Sequence, residues 1–159
     1  MIKVKLLHDD AIVPEMAYPT DSGYDLFTVE NLILNPKEKG IAKTGIAVSF
    51  PEGLSATVRP RSGNTVKGVP CLKLDPMVEA KEECRADVTV YLGTIDNAYT
   101  GEIGIMVKNE EDCMIVIPAG TKLAQLVLER VPHEEFVEVD ELDETARADG
   151  GFGSTGSSL

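Results

Sequence analysis

The sequence has no tryptophan, and only 5% of its 159 residues are aromatic. Long apolar stripes with a 3.6-residue period are also missing, whereas glycine and proline are frequent, with 14 and 9 copies. The hydrophobic fraction of 43% is enough for the core of one compact domain. The composition therefore predicts one mainly β domain and argues against a helical bundle.

Lysine and arginine are scarce as well. The sequence has 15 of them against 27 aspartates and glutamates, so its formal net charge is -12. A field of that sign repels a phosphate polymer, so we expect no nucleic-acid polymer as a partner. A mononucleotide is not excluded, since a divalent cation that travels with a triphosphate and a few well-placed arginines can offset the charge.

The three cysteines, Cys71, Cys84 and Cys113, lack the C-x-x-C spacing of a zinc site and are odd in number, which indicates free thiols. No run approaches the roughly 18 apolar residues needed to cross a bilayer. The chain starts with the alternating run 2–7 and not with the apolar core of a signal peptide. We therefore expect a cytoplasmic protein without a membrane partner.

Short apolar or alternating runs between turn residues dominate the chain and predict the strands of a sandwich or barrel. They cover 2–7, 32–34, 46–50, 54–58, 88–92, 103–107, 114–117, 123–131 and 136–139. Good helix formers with neighbours of opposite charge predict one short helix over 79–86. In 71–87 the acidic residues outnumber the basic ones, so we expect this segment to be an exposed excursion outside the core.

Three segments carry side chains that suit a phosphate site. In 59–63, two arginines, a hydroxyl and a glycine follow a predicted strand and form a compact anion-binding corner. Asp25 follows a glycine turn, and Gln125 lies at the centre of a predicted strand. Taken alone, Asp25 is explained as well by an ordinary turn, and Gln125 by a polar, outward-facing strand position.

Asp96 lies between two glycines in the turn-like segment 93–101, and Tyr99 follows three residues later. A carboxylate in such a position can act as a general base, and a tyrosine ring can stack on a sugar or a nucleobase. The alternative is a β-turn with a solvated aspartate. Neither His8 nor His133 lies near these segments, so a histidine base has no support.

The C-terminal stretch 147–156 combines an arginine, four glycines, two hydroxyls and one aromatic ring. Glycines let a backbone approach a ligand closely, while the arginine and the hydroxyls suit phosphate oxygens. Residues 151–156 match G-x-G-x-x-G, but a dinucleotide-binding fold needs a strand before this motif and a long helix after it. A flap that closes over a nucleotide explains the stretch better; the alternative is a disordered Gly/Ser tail.

Taken in order, these segments resemble the five motifs of the trimeric dUTP diphosphatase family. The matching segments are 22–26, 60–63, 93–101, 120–126 and 147–156. The resemblance spans nearly the whole chain, and the third and fifth motifs are the specific ones. It implies an all-β, jelly-roll-like distorted barrel or sandwich over 1–140 and a C-terminal arm over 141–159 that is exchanged within a homotrimer.

The resemblance also implies the hydrolysis of dUTP to dUMP and pyrophosphate with Mg2+, with Asp96 deprotonating the water that attacks the α-phosphate. Tyr99 would pack against the deoxyribose and exclude a 2′-hydroxyl. Asp25 would hold water of the hydrated magnesium ion, and Arg61 would be mainly a structural partner of Asp25. The residues expected to contact the phosphates or the uracil are Ser62, Gly63, Gln125, Arg147, Phe152, Gly153, Ser154 and Thr155.

Two other functions stay open. A dCTP deaminase, or a bifunctional deaminase and diphosphatase, resembles the same fold but needs a glutamate on the strand after the third motif, where 105–107 are apolar. A non-catalytic trimeric module that binds a nucleotide or a protein partner has no need of Asp96. The segment 71–87 makes the connection before the third motif longer than is usual in the family, and it is where we expect a protein partner. The asparagine that usually reads uracil is absent from 88–92.

Overall fold

The computed structural model describes residues 1–74, 81–146 and 148–149. Within them the chain forms twelve strands and one short helix, which confirms the all-β prediction. The elements are β1 (Lys3–Leu6), β2 (Gly23–Phe27), β3 (Leu32–Leu34), β4 (Lys39–Ser49), β5 (Leu54–Pro60), α1 (Ser62–Lys67), β6 (Val69–Leu74), β7 (Lys81–Ala86), β8 (Val88–Val90), β9 (Gly93–Ile95), β10 (Glu102–Asn109), β11 (Met114–Ile117) and β12 (Lys122–Arg130). No helix in these ranges is long and apolar enough to cross a membrane.

The strands form three four-stranded sheets with the orders β1-β4-β10-β8, β3-β11-β6-β7 and β2-β12-β5-β9. Neighbouring strands pair in the antiparallel sense. In β10, Ile103, Ile105 and Val107 are buried, and the positions between them are more exposed. This period of two packs one face of a strand against a core.

Side chains from all three sheets meet in an apolar core. Leu26 of β2, Leu34 of β3 and Ile46 of β4 are each 1% exposed, although they belong to three different sheets. Most of the other large side chains of this core are branched and aliphatic as well, among them Ile103, Ile105, Ile115, Ile117 and Leu123, and Phe50 contributes an aromatic ring. Branched side chains pack well on pleated surfaces, and they fill here the volume that aromatic rings fill in many domains.

The helix predicted over 79–86 is wrong, because residues 81–86 form β7. This strand pairs with β6 in a hairpin that places Cys71 opposite Cys84 and Val69 opposite Ala86. Both Val69 and Ala86 are 0% exposed. The burial of one face of the hairpin thus outweighs the helix propensity of the glutamates and alanines.

The expectation that 71–87 lies outside the core is wrong in the same place. Cys71 and Ala86 belong to the core cluster, while Glu83 and Arg85 of the same hairpin are exposed. Successive side chains of a strand point to opposite faces, so the charges stay in water although the strand packs on the core. The excess of acidic residues therefore predicted correctly that the outer face of the hairpin is exposed, but it did not predict that the inner face is buried.

The run 136–139 does not form a strand with the described part of its own chain. The backbone N–H of Val131 still donates to the carbonyl of Gly53 at 3.0 Å, and beyond it the described residues up to 146 hold no strand. Phe136 and Val137 remain exposed. Two large exposed apolar side chains in succession indicate a surface that another chain can cover.

Candidate active site

Segments that are far apart in the sequence line a cavity of about 410 Å3. β2 contributes Asp25, and β12 contributes Gln125. Arg61, which precedes α1, and Ser62 and Gly63 of its first turn complete this group. Five of the residues predicted for the site therefore line one cavity.

The register of one sheet explains why these residues meet. β12 lies between β2 and β5, with Asp25 opposite Gln125 and Pro60 opposite Ala124. The chain therefore leaves β5 beside Asp25, and α1 begins immediately after Arg61. The second matching segment is thus a strand end followed by a helix start, which is the geometry expected of an anion-binding corner.

The carboxylate of Asp25 is buried between two cations. Nε of Arg61 donates to Oδ1 at 2.8 Å, and Nζ of Lys122 lies 3.0 Å from Oδ2. The hydrogen bond to Asp25 raises the pKa of Lys122 above its usual value, and Glu15 adds to this effect. The charge of Asp25 is therefore balanced within the chain itself.

Lys122 belongs to the site region although the sequence did not single it out, whereas Arg59 is one of the two arginines predicted for the anion-binding corner 59–63. Lys122 begins β12, and Arg59 lines the cavity and pairs with Glu129 across β5 and β12. Lys122 lies inside the matching segment 120–126, and Arg59 directly precedes the matching segment 60–63. This position in the sequence is the feature that could have identified Lys122. The partners of both residues are distant in sequence, so spacing alone cannot assign the pairs.

Asp96 and Tyr99 lie on the turn that follows β9 and do not line this cavity. The backbone N–H of Tyr99 donates to the carbonyl of Asp96 at 3.0 Å, and the phenol donates to the carbonyl of Glu102 at 2.8 Å. A Cβ on Gly101 would come within 2.6 Å of the phenol oxygen, so only glycine lets the ring lie there. The side chain of Asp96 is exposed.

The pairing of β5 with β9 separates the two groups of residues. Gly93 lies opposite Val58 and Ile95 opposite Ala56, so β9 runs away from the end of β5 that carries Arg61. Continuing this register places Asp96 beside Ser55. The chain takes six residue steps from Ser55 to Arg61, which is roughly 20 Å at the usual rise per residue of a strand. One chain does not bring the candidate base to its own phosphate corner.

The carboxylates of the cavity fit a hydrated magnesium ion and not a protein-only metal centre. Within the described residues, no three His, Cys, Asp or Glu side chains come together to hold a metal. Both oxygens of Asp25 already face cations, and Asp21 is the other carboxylate in the cavity lining. Magnesium commonly keeps several waters and binds through phosphates plus one or two carboxylates, which suits a contact of Asp25 through water.

The residues predicted on the glycine-rich stretch cannot be compared with this geometry. Arg147, Phe152, Gly153, Ser154 and Thr155 lie outside the described residues. Their roles stay predictions.

Comparisons with known proteins agree with the motif resemblance. The dUTPase family model matches residues 9–156. Deoxyuridine 5'-triphosphate nucleotidohydrolase of Clostridium tetani is 38% identical, over 98% of this chain and 96% of its own. The Hydrogenobaculum enzyme of the same name is 41% identical, over 96% of both chains.

Solved structures show the same relationship. The dUTPase of Staphylococcus bacteriophage 80alpha with dUPNHPP aligns with a TM-score of 0.82 at 30% identity, over 99% of both chains. A mutant dUTPase from phage phi11 of S. aureus, described with a structural Mg(II) ion, aligns with a TM-score of 0.74 at 29% identity, over 91% of this chain and 99% of its own. From its motifs, its fold and these matches, the chain belongs to the dUTPase family.

Proposed function

We propose that the protein hydrolyses dUTP to dUMP and pyrophosphate, at a site built from the cavity of one chain and the Asp96 turn of another. The observation that carries this proposal is the convergence of Arg61, Ser62, Gly63 and Gln125 on one cavity in a chain of the dUTPase family. These groups suit a chain of phosphates, and their meeting point lies beside a carboxylate suited to hydrated magnesium.

The phosphate chain binds to the first turn of α1. The first N–H groups of a helix have no partner inside it, so those of Ser62 and Gly63 can donate to phosphate oxygens together with the Ser62 hydroxyl. Nε2 of Gln125 donates one hydrogen to the carbonyl of Pro60 at 3.1 Å, which orients the amide. Its second N–H is available for a phosphate.

Asp96 acts as the general base. Its carboxylate accepts a proton from a water molecule, whose oxygen forms a bond to the α-phosphorus. The bond between that phosphorus and the bridging oxygen breaks, and the electron pair leaves with pyrophosphate. A magnesium ion on the triphosphate would supply positive charge to the leaving group. Asp25 would hold that ion through a water molecule, and Arg61 holds Asp25 in place.

The remaining roles concern the sugar, the base and the terminal phosphate. Tyr99, fixed by its bond to Glu102 and by the close approach of Gly101, packs against the deoxyribose and leaves no room for a 2′-hydroxyl. Phe152 covers the uracil. The γ-phosphate is bound by Arg147, Gly153, Ser154 and Thr155.

The assembly that completes the site is a homotrimer in which the arm 141–159 reaches another chain. The separation of roughly 20 Å along β5 supports a shared site, since Asp96 cannot act on a phosphate bound at Arg61 of its own chain. The exposed Phe136 and Val137 support contact between chains. The cytoplasmic location and the absence of nucleic-acid and membrane partners remain predictions.

Two inactive variants test the shared site. Asp96→Asn removes the base, and Gly63→Glu places a carboxylate in the phosphate corner, where a Cβ has open space around it. Unfolded together in equal amounts and refolded, they should recover about a quarter of wild-type turnover, because a quarter of two-chain sites combine the two intact halves. Each variant refolded alone is the control. Recovery of no activity by correctly assembled mixtures would overturn the shared site.

A deaminase is the second candidate, and the environment of Glu102 counts against it. Oε1 of Glu102 accepts a hydrogen bond from the backbone of Gly45 at 2.9 Å, so this carboxylate is engaged in fixing the chain. Chromatography of products from dUTP and dCTP separates the candidates. We expect dUMP and pyrophosphate from dUTP and no dUTP from dCTP. Binding without turnover would instead favour the non-catalytic module.

A protein partner at 71–87 also remains a proposal. β7 lies at the edge of its sheet, where the outer backbone groups of an edge strand can pair with another chain. The exposed Glu83 and Arg85 give this edge mixed charge. Charge reversal at Glu83 should weaken the binding of such a partner while dUTP turnover stays unchanged.

A further inference from the structure

Two of the three cysteines face each other across the β6–β7 hairpin. Cys71 and Cys84 are paired in register, and their Sγ atoms lie 3.2 Å apart. The thiol of Cys84 also points at the carbonyl of Cys71, at 3.7 Å. Neither residue lines the phosphate cavity, so the pair has no part in the proposed hydrolysis.

The backbone already meets the requirements of a disulfide. Residues directly opposite each other in an antiparallel pair have Cα atoms about 4.5 to 5.5 Å apart. Disulfides join Cα atoms about 4.4 to 6.8 Å apart, so the hairpin can be bridged without moving its strands. Because paired residues share one face of the sheet, both side chains also point the same way.

We propose that Cys71 and Cys84 are a dithiol modification site, which exchanges with small soluble disulfides and closes a disulfide bond across the hairpin. No other cysteine is needed, because the two thiols supply both sulfur atoms. Cys113 is the remaining thiol, and it is half-buried.

The two thiols have different roles in the exchange. Cys71 is buried, and its burial, followed by its hydrogen bond with Cys84, raises its pKa to about 12. Cys84 is half-buried, so a soluble disulfide reaches it first. Its thiolate attacks one sulfur of oxidised glutathione, forms a mixed disulfide and releases one glutathione thiol.

Cys71 then resolves the mixed disulfide. Its sulfur attacks Sγ of Cys84, the bond to glutathione breaks, and the second glutathione leaves with the proton of Cys71. The protein dithiol is oxidised by two electrons, and one oxidised glutathione is reduced to two thiols. The new bond ties β7 to β6, and β7 carries Arg85, which donates to the carbonyl of Gly68 at the end of α1 at 2.7 Å.

Thiol counting on the full chain tests the proposal. The protein is incubated with oxidised glutathione, alkylated in denaturant and analysed by mass spectrometry. We expect the three free thiols of the reduced protein to fall to one, with Cys113 alkylated and a peptide that links Cys71 to Cys84. The thermal midpoint should rise by several degrees and return when a reductant is added, because the bond restricts the unfolded chain.

Single variants supply the controls. Cys113→Ser should still lose both of its remaining thiols. Cys71→Ser should retain glutathione on Cys84, because the resolving thiol is gone, and Cys84→Ser should show neither the link nor the thermal shift. Three thiols persisting in the wild-type protein, a stable glutathione adduct on wild-type Cys84, or a bond to Cys113 would each overturn the proposal.

Discussion

Two aspartates of this chain belong to one proposed reaction and have opposite surroundings. Asp25 is 6% exposed, and Arg61 and Lys122 balance its charge. Asp96 is exposed, and within the described residues no side chain or backbone group donates a hydrogen bond to its carboxylate. The carboxylate proposed to orient the magnesium ion is thus held by ion pairs within the fold, whereas the carboxylate proposed to accept the proton is exposed.

The difference follows from what each group must do. A carboxylate that positions an ion is most effective when its own geometry does not change on binding, and paired cations hold it still. A general base must stay free to accept a proton, and pairing with a cation would lower its pKa and weaken it as a base. Substitution of Asp96 should therefore reduce turnover with little effect on stability, whereas substitution of Asp25 should lower stability as well.

Asp96→Asn is expected to have the largest effect. Turnover should fall by roughly two to four orders of magnitude, because the amide cannot accept the proton, while substrate binding and the thermal midpoint stay close to wild type. Steady-state kinetics and isothermal titration measure the two effects. Asp112→Asn is the matched control, since it makes the same change at another exposed carboxylate. Near-full activity of Asp96→Asn would remove Asp96 from the mechanism.

Asp25→Asn should lower stability, in addition to the loss of turnover expected from its proposed role toward the magnesium ion. Two cations would lose their buried partner, so the free energy of unfolding should fall by about 3 kcal/mol, measured by urea denaturation at a fixed protein concentration. Glu129→Gln is the control, because its ion pair with Arg59 is more exposed and should be worth less than about 1 kcal/mol. Equal losses in the two variants would contradict the contrast between a buried and an exposed pair.

Tyr99 tests whether the turn after β9 also selects the sugar. Tyr99→Ala should reduce the preference for dUTP over UTP roughly tenfold, because the site then has space for the 2′-hydroxyl of the ribose. Tyr99→Phe keeps the ring and loses only the bond to Glu102, so its preference should stay close to wild type. The ratio of kcat/KM for the two nucleotides is the measurement. An unchanged ratio in Tyr99→Ala would exclude the ring from sugar selection.

Glu111, on the turn after β10, offers a smaller effect that depends on pH. The hydrogen bond from the backbone of Asp87, followed by that from Lys73, lowers the pKa of Glu111 below 4.5. The ionised carboxylate therefore stabilises the fold at pH values above the pKa that Glu111 has in the unfolded chain. This stabilisation is lost as the pH falls through the lower pKa that Glu111 has in the folded protein. Glu111→Gln should lower the thermal midpoint at pH 7, and its difference from wild type should close in acid. A constant difference across this pH range would contradict the linkage.

The sequence predicted those features that depend on local pattern. The alternation in 103–107 gave β10, because buried and exposed positions follow the period of a strand. The sequence pattern predicted the wrong structure where the burial of side chains determines which element forms. Residues 79–86 contain good helix formers, but the burial of Ala86 and Cys71 favours the hairpin in which 81–86 form β7. Likewise, 136–139 alternates as a strand does, yet no described strand of the same chain pairs with it.

The site could be predicted as a set of residues but not as an arrangement. The motifs named Asp25, Arg61 and Gln125, and the register of β12 explains why these three meet. Lys122 was missed because its pairing with Asp25 spans most of the chain. The distance of Asp96 from the cavity depends on the direction of β9 against β5, which no local pattern reveals.

The length of β5 between Arg61 and the Asp96 turn has a consequence for the proposed assembly. A nucleotide whose phosphates rest on one chain and whose attacking water is held by another acts as a bridge between them. By linkage, whatever affinity the nucleotide gains from the second chain is returned as tighter association of the chains. A non-hydrolysable substrate analogue should therefore slow the exchange of subunits between labelled assemblies, and the enzyme should be most firmly assembled while it is working.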